Sequence, residues 1–452
     1  MLLLAAVAAR PQAAPAPSLL TLDRALQEAL RNYPSIRVSR EQIGAAAAGI
    51  RLARTAYLPR VDTLAQVNRA TRNNVFGMLL PQSVIPSMSG PVIGTNNFGT
   101  AWGSAAGVLV TWEPFDFGLR SANVSAAAAT RAQSEAALKR TQFEVLATAA
   151  DAYLTLLAAQ ETIRAAQAGV DRAETVAKVV GALVNAELRP GADGSRAEAE
   201  VAAARTQLIQ AQQAADVARA TLAQLVGGDP AQLAISPGGL LRLPPEAEVP
   251  ALNAAANPVF AEQSAVVEQA RAQLRALERA YFPRFFLQGS AYARGTGADV
   301  TGERLGGLGG LAPNVQNYAL GFSVTFPVLD LPALRAREAV QSATVRAQQA
   351  KSDQIAVDLR AQWNRAVASL AGARRIAANT PVEVSAARTA LQQATARYQS
   401  GLGNITDVAE TQRLLTISEI DDSLARLGVW RGLLAIATAA GDLEPFVAEA
   451  SR

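Results

Sequence analysis

Carboxylates are the side chains best placed to do chemistry in this sequence. Glu200 and Glu410 each stand nine residues beyond a glycine, Gly191 and Gly401, and Asp407 stands six beyond Gly401. Acids grouped in this way could hold a metal ion or work as an acid–base pair. Nothing around them completes either site. The 452 residues include no histidine and no cysteine. That removes Ser-His-Asp and Cys–His catalysis, thiolate zinc sites and haem ligation by these residues. No acidic pair has a glycine loop, a histidine or another recognisable partner beside it, so a carboxylate-based hydrolase is a poor reading. No catalytic residue, metal ligand or cofactor is expected. The acids also have a purely structural reading, in which Asp407 stabilises the first turn of a helix and the glutamates are solvated charges. Net charge is +4, with basic residues scattered among acidic ones. No Lys/Arg run is interleaved with aromatics, so nucleic acid is not an expected partner.

The elements that must position these acids repeat along the chain. Ala-Tyr-Leu-Pro-Arg at 56–60 returns as Ala-Tyr-Phe-Pro-Arg at 280–284, an offset of 224 that also relates Pro34 to Pro258. Val110-Thr111-Trp112 with Phe115-Asp116-Phe117 returns as Val324-Thr325-Phe326 with Leu329-Asp330-Leu331, at an offset of 214. The matched glycines, Gly191 and Gly401, form a weaker third pair. On that pairing position 197, an alanine, is the counterpart of Asp407, and the first copy lacks this acid. Three matches in one order imply duplication.

Helical and extended periodicities alternate between these landmarks. Ala149, Leu156, Ile163, Val170, Ala177 and Val184 recur every seven residues, with Ala152, Ala159, Ala166, Ala173 and Val180 in step three positions later. This is an alanine-rich a/d seam of a closely packed coiled coil. A proline-free stretch of about 70 residues makes a rod of roughly 105 Å. Each rod is expected to turn at glycines, which take φ > 0 without strain. Period two appears in four stretches, most clearly where Tyr318, Leu320, Phe322, Val324 and Phe326 share one face with Trp112 of an earlier strand. Glycine- and proline-rich loops at about 70–101 and 295–316 join the strands.

The resulting division is as follows. Residues 1–16 read as a signal peptide or its remnant, or alternatively as an Ala/Pro tail. Residues 17–229 form the first repeat, with hairpin 60–112, long helix 119–188 and return helix 195–226. An equatorial linker covers 230–257. Residues 258–443 form the second repeat, with hairpin 284–326, long helix 333–399 and return helix 404–439, and 444–452 is a C-terminal tail.

Strands of about ten residues can cross a bilayer, but four cannot close a barrel, and open edges are not tolerated in lipid. The chains must pool strands. Three chains supply twelve, an even number within the known range. The expected fold is therefore mainly α with transmembrane β, a duplicated helix–β-hairpin–long-helix unit in a trimeric 12-stranded β-barrel continued by a long α-helical barrel. The alternative is a periplasmic coiled-coil scaffold or adaptor without a pore. It leaves the bulky apolar strand face unexplained.

The order of short helix, Tyr-Leu-Pro-Arg, hairpin, Trp-Glu-Pro-Phe-Asp-Phe-Gly, long helix, glycine turn and returning helix, all repeated, resembles the outer-membrane efflux (TolC) family over about residues 20–443. Arg397-Tyr398-Gln399-Ser400-Gly401 with Asp407-Val408 is similar to that family's second helix tip. The resemblance implies an outer-membrane homotrimer with its helices in the periplasm. It serves as the exit duct of a tripartite efflux pump or type I secretion system, with a periplasmic adaptor and an inner-membrane pump as partners. With no cysteine to carry a lipid, the chain resembles the unlipidated members. The family pattern makes Asp407, Glu410, Tyr398 and Glu200 aperture residues. Its basic restraint falls on Gly403, so that restraint is expected to be missing. Gly191, Gly401, Leu402 and Gly403 become adaptor-docking tips, and Trp112, Tyr318, Leu320, Phe322, Val324 and Phe326 a belt against outer-membrane lipid.

Overall fold

A computed structural model describes residues 19–71, 100–246, 249, 251–297, 306–326 and 328–452. The expected signal segment 1–16, most of the first strand loop and the centre of the second lie outside the described residues. The elements are α1 (Leu22–Asn32), α2 (Pro34–Thr55), β1 (Arg60–Thr71), β2 (Thr100–Phe115), α3 (Leu119–Asn185), α4 (Gly191–Val226), α5 (Pro258–Arg279), β3 (Arg284–Thr296), β4 (Val315–Thr325), α6 (Leu331–Gln399), α7 (Ile405–Ala440) and α8 (Glu444–Ala450). Three short 3-10 turns occupy the segment between α4 and α5. No described helix is long and apolar enough to cross a membrane.

The duplication is written in the element bounds. Helices α2 and α5 begin and end 224 residues apart. Helices α3 and α6 end 214 apart, and α4 and α7 both begin and end 214 apart. Left-handed glycines close the last pair, Gly227 at φ 76° and Gly441 at φ 82°. The segment before the first Tyr-Leu-Pro-Arg is two helices, because Pro34 has no N–H to continue α1 and holds Tyr33 extended. The return helix expected from 195 begins at Gly191, with Pro190 at its N-cap. The expected C-terminal tail is helix α8, whose Phe446 packs edge-on against Trp430 with ring centroids 6.2 Å apart.

Two compact units divide the chain, and each draws on both repeats: 44–132 with 266–348, and 1–43 with 133–265 and 349–452. The first contains the antiparallel sheet β1-β2-β3-β4. Its register pairs Arg60 with Thr111, Phe115 with Phe285 and Arg284 with Thr325, so the helix-attached ends of all four strands share one margin. Strands β1 and β4 are outermost, each with one edge unpaired among the described residues. Alternation places Tyr318 (88% exposed), Leu320 (79%), Phe322 (64%) and Val324 (52%) on one open face of β4. Phe326, just past the strand, and Trp112 on β2 are also exposed. Leu64, out of step with the apolar face of β1, points the other way and packs on Ala105 and Tyr292.

The joint from β2 to α3 is fixed by a buried ion pair. Asp116 accepts from the N–H groups of Gly118 (3.1 Å) and Arg120 (2.6 Å), and from the Arg120 Nε at 2.9 Å. Burial alone pushes the Asp116 carboxyl up, but these donors and the Arg120 charge hold it below its ordinary value. The repeated Tyr-x-Pro-Arg segments serve this joint too. The Arg120 guanidinium lies 4.8 Å from the Tyr57 ring centroid, and Arg284 grips Glu113 through two bonds of 2.8 and 2.7 Å.

In the second unit the α3 seam is closed. Ala149, Ala152, Leu156, Ala166, Val170, Ala173 and Val180 are buried. Gly169 lets α7 approach, since a Cβ there would stand 2.9 Å from Thr416 Oγ1. Arg172 then reaches Thr416 Oγ1 and Glu419 Oε2, both at 2.9 Å. The wholly buried Tyr153 donates to Leu20 O at 2.9 Å, tying the start of the chain into this core.

Candidate gate at the helix tips

Both long helices end in the same capping motif. At the second tip the N–H of Gly401 donates to Tyr398 O (3.1 Å) and that of Leu402 to Arg397 O (2.9 Å). At the first tip Glu187 donates to Val184 O (3.0 Å) and Leu188 to Leu183 O (2.9 Å). This is the Schellman pattern, with a left-handed residue at C′. Gly401 takes it at φ 83° and Glu187 at φ 60°. A side chain in that region costs about 1 kcal/mol. Leu188 (69% exposed) and Leu402 (75%) are therefore equivalent, and both protrude.

This geometry corrects the expected pairing of Gly191 with Gly401. Gly191 is the first residue of α4 and not a turn glycine; its counterpart is Ile405. Asp407 pairs with Asp193, not with position 197, so the first tip does carry the acid. Glu200 pairs with Leu414 instead of Glu410, and lies half-buried farther along α4. The signal was present in the sequence. The 214 offset of the strand motifs carries unbroken through the long helices, whereas the glycine match required a gap.

The two tips are joined through Tyr398, which is 2% exposed. Its hydroxyl donates to Asp193 Oδ2 at 3.1 Å. The Arg189 guanidinium lies 4.4 Å from the ring centroid and donates to the Tyr398 carbonyl. Burial, then the bond to Asp193 and its charge, push the Tyr398 phenol above its ordinary value, against the opposing effect of Arg189. Arg189 occupies the position of the first tip that matches Gly403 at the 214 offset. Gly403 itself sits where a Cβ would be 3.2 Å from the Tyr398 backbone nitrogen. Sequence reading missed both Arg189 and Asp193.

Asp407 and Glu410 face outward one helical turn apart. The Asp407 N–H is capped by Asn404 Oδ1 at 2.9 Å. Both side chains are exposed, and among the described residues neither joins an ion pair. They begin an exposed stripe on α7 that continues through Leu414, Ile417, Asp421 and Leu424 in steps of three and four. Acids make up half of that stripe and aliphatic residues the other half.

Long alanine-seamed helices, a sheet with an exposed apolar face, and tips joined through Tyr398 are the parts of a channel protomer. The chain belongs to the outer membrane efflux protein family, whose model matches residues 25–228 and 249–442. It is an outer-membrane protein whose helical part lies in the periplasm. It is 27% identical over 422 residues to the pyoverdine export outer membrane protein OpmQ of Pseudomonas aeruginosa, covering 91% of this chain and 84% of that one. It is 25% identical to the cobalt-zinc-cadmium resistance protein CzcC of Cupriavidus metallidurans, over 66% of this chain and 68% of the relative. In structure it is similar to the outer-membrane channel CmeC of Campylobacter jejuni, with a TM-score of 0.75, 14% identity, and coverage of 95% of this chain and 89% of that one.

Proposed function

We propose that three copies of this chain form one efflux duct, with their sheets joined into a twelve-stranded barrel and their helices into a tube. The observation that carries this is the four-stranded sheet with two unpaired edges and an exposed face of Tyr318, Leu320, Phe322, Val324, Phe326 and Trp112. Lipid accepts that face, and only closure with further strands satisfies the edges. The duct is the exit of a tripartite efflux pump or type I secretion system, with an inner-membrane pump and a periplasmic adaptor as partners. The named cargos of OpmQ and CzcC differ, which suits a passive exit whose pump selects cargo.

The gate lies at the tips. The Tyr398–Asp193–Arg189 latch holds α6 to the first tip, and Asp407 and Glu410 from three chains form acidic rings in the aperture that favour cations. Glu200, displaced along α4, is left outside these rings. Leu188 and Leu402, flanked by Gly191, Gly401 and Gly403, form the adaptor-docking knobs. In planar bilayers the wild-type duct should conduct with cation preference, and Asp407→Asn with Glu410→Gln should lower that preference. Unchanged selectivity would remove the acids from the aperture, and absence of any conductance would count against the duct.

A further inference from the structure

One groove of about 510 Å³ lies between the start of α3 and the end of α5, at the margin where strands become helices. Phe115 and Phe117 line it, with Ser121, Arg275, Glu278 and Arg279. Phe117 meets Phe115 edge-on at 4.6 Å and stacks on Phe282 at 5.2 Å. The rings continue through Phe285, 6.0 Å from Phe115, to Phe322, a further 6.1 Å away on the exposed face of β4. An apolar track therefore leads from the groove onto the face assigned to lipid.

The polar end of the track is open. Arg275 and Arg279 are exposed. Arg279 lies 6.0 Å over Phe282, and among the described residues neither arginine is in an ion pair. Glu278 also lines the groove, so two positive charges meet one negative. Ser121 adds a hydroxyl. Phe117 holds φ at 51°, a region that bulky residues avoid.

The internal repeat shows that the fold does not demand these residues. At the matching places of the other copy, Phe115, Phe117 and Phe282 are replaced by Leu329, Leu331 and Leu58, and Arg279 by Thr55. Leu331 is not among the described residues with positive φ. The aromatic track and the strained phenylalanine belong to one copy alone, whereas paired arginines stand in both, as Arg275 and Arg279 here and as Arg51 and Arg54 in the other.

We propose that this groove binds an anionic phospholipid of the periplasmic leaflet. Arg275, Arg279 and Ser121 take the phosphate, and an acyl chain lies along Phe117, Phe282, Phe285 and Phe322. Guanidinium groups pair well with phosphate, and basic residues at this depth meet the headgroup layer. The proposal rests on the strand face lying in lipid.

The test titrates the purified full-length assembly in nonionic detergent with phosphatidylglycerol or phosphatidylcholine, counting bound lipid by native mass spectrometry. Wild type should prefer phosphatidylglycerol, and R275Q with R279Q should weaken that preference by about fivefold per arginine. F117A should weaken both lipids together and leave the preference intact. Removing the opposing charge with Glu278→Gln should sharpen the preference, which keeps the test decisive if the double variant fails to assemble. Equal binding of the two lipids by wild type, an undiminished preference in R275Q/R279Q, or no gain in E278Q overturns the proposal. Flotation with liposomes separates the underlying reading: wild type that fails to float shows that the strand face does not enter lipid, whereas floating protein without headgroup preference refutes the groove alone.

Discussion

Tyr398 meets the first tip at three points: its hydroxyl on Asp193, its ring under Arg189, and its carbonyl accepting from the same guanidinium. Tyr398→Phe removes only the first. A hydrogen bond to a charged group contributes about 1.5–3 kcal/mol, so the open population should rise by about tenfold to a hundredfold, read as open probability in planar bilayers. The same bond gives a pH dependence whose sign is fixed. The folded-state value for Tyr398 is raised, so the latch is fully present below the ordinary phenol value and is lost as pH rises through the raised one. Wild-type conductance should therefore climb at strongly alkaline pH, and Tyr398→Phe should lack that step. Asp116 behaves in the opposite sense. Its value is lowered, so its contribution is present above the ordinary carboxylate value and fades as pH falls through the lowered one. Asp116→Asn strands the buried Arg120 and should cost about 1–3 kcal/mol in thermal or denaturant unfolding, with a smaller loss of stability on acidification than wild type.

At the scale of elements, close approach of α7 to α3 depends on one missing side chain. Gly169→Ala places a methyl 2.9 Å from Thr416 Oγ1 and 3.1 Å from its Cγ2. Thermal unfolding should show destabilisation by about 1–3 kcal/mol. Thr416→Ala removes both offending atoms, so the double variant should recover part of the loss; strictly additive effects would show that the contact does not set the helix spacing. Helices, strands and duplication were legible in the sequence because periodicity reports burial directly. The α3 seam is buried along much of its length, and Leu64 looked anomalous only until Tyr292 was placed beneath it. Glycine alone does not mark the tips, because the first tip spends its left-handed position on Glu187 and uses Gly191 to start a helix. Asp193 and Arg189 were hidden as a consequence, since their role lies in contact with Tyr398, 205 and 209 residues away in sequence. Pro381 stands inside α6 without ending it.

At the scale of the whole molecule, the exposed face of β4 is the test of membrane residence. Leu320 is 79% exposed and central on that face. Leu320→Arg should cost about 2–4 kcal/mol if it meets the middle of a bilayer. The proposed trimer should then be lost on native gels, while Asn317→Arg, on the alternate face of the strand, should be tolerated.

The shared ownership of the latch has a thermodynamic consequence. Tyr398 belongs to one tip, and Asp193 and Arg189 belong to the other, so no ligand can act on either tip in isolation. Anything that grips Leu402 and favours the unlatched form must, by reciprocity, bind more tightly once the latch is removed, by the same factor with which it raises the unlatched population. On the proposed gate, the gain in a docking protein's affinity for Tyr398→Phe over wild type reads the part of its binding energy spent against the one hydrogen bond that this variant removes.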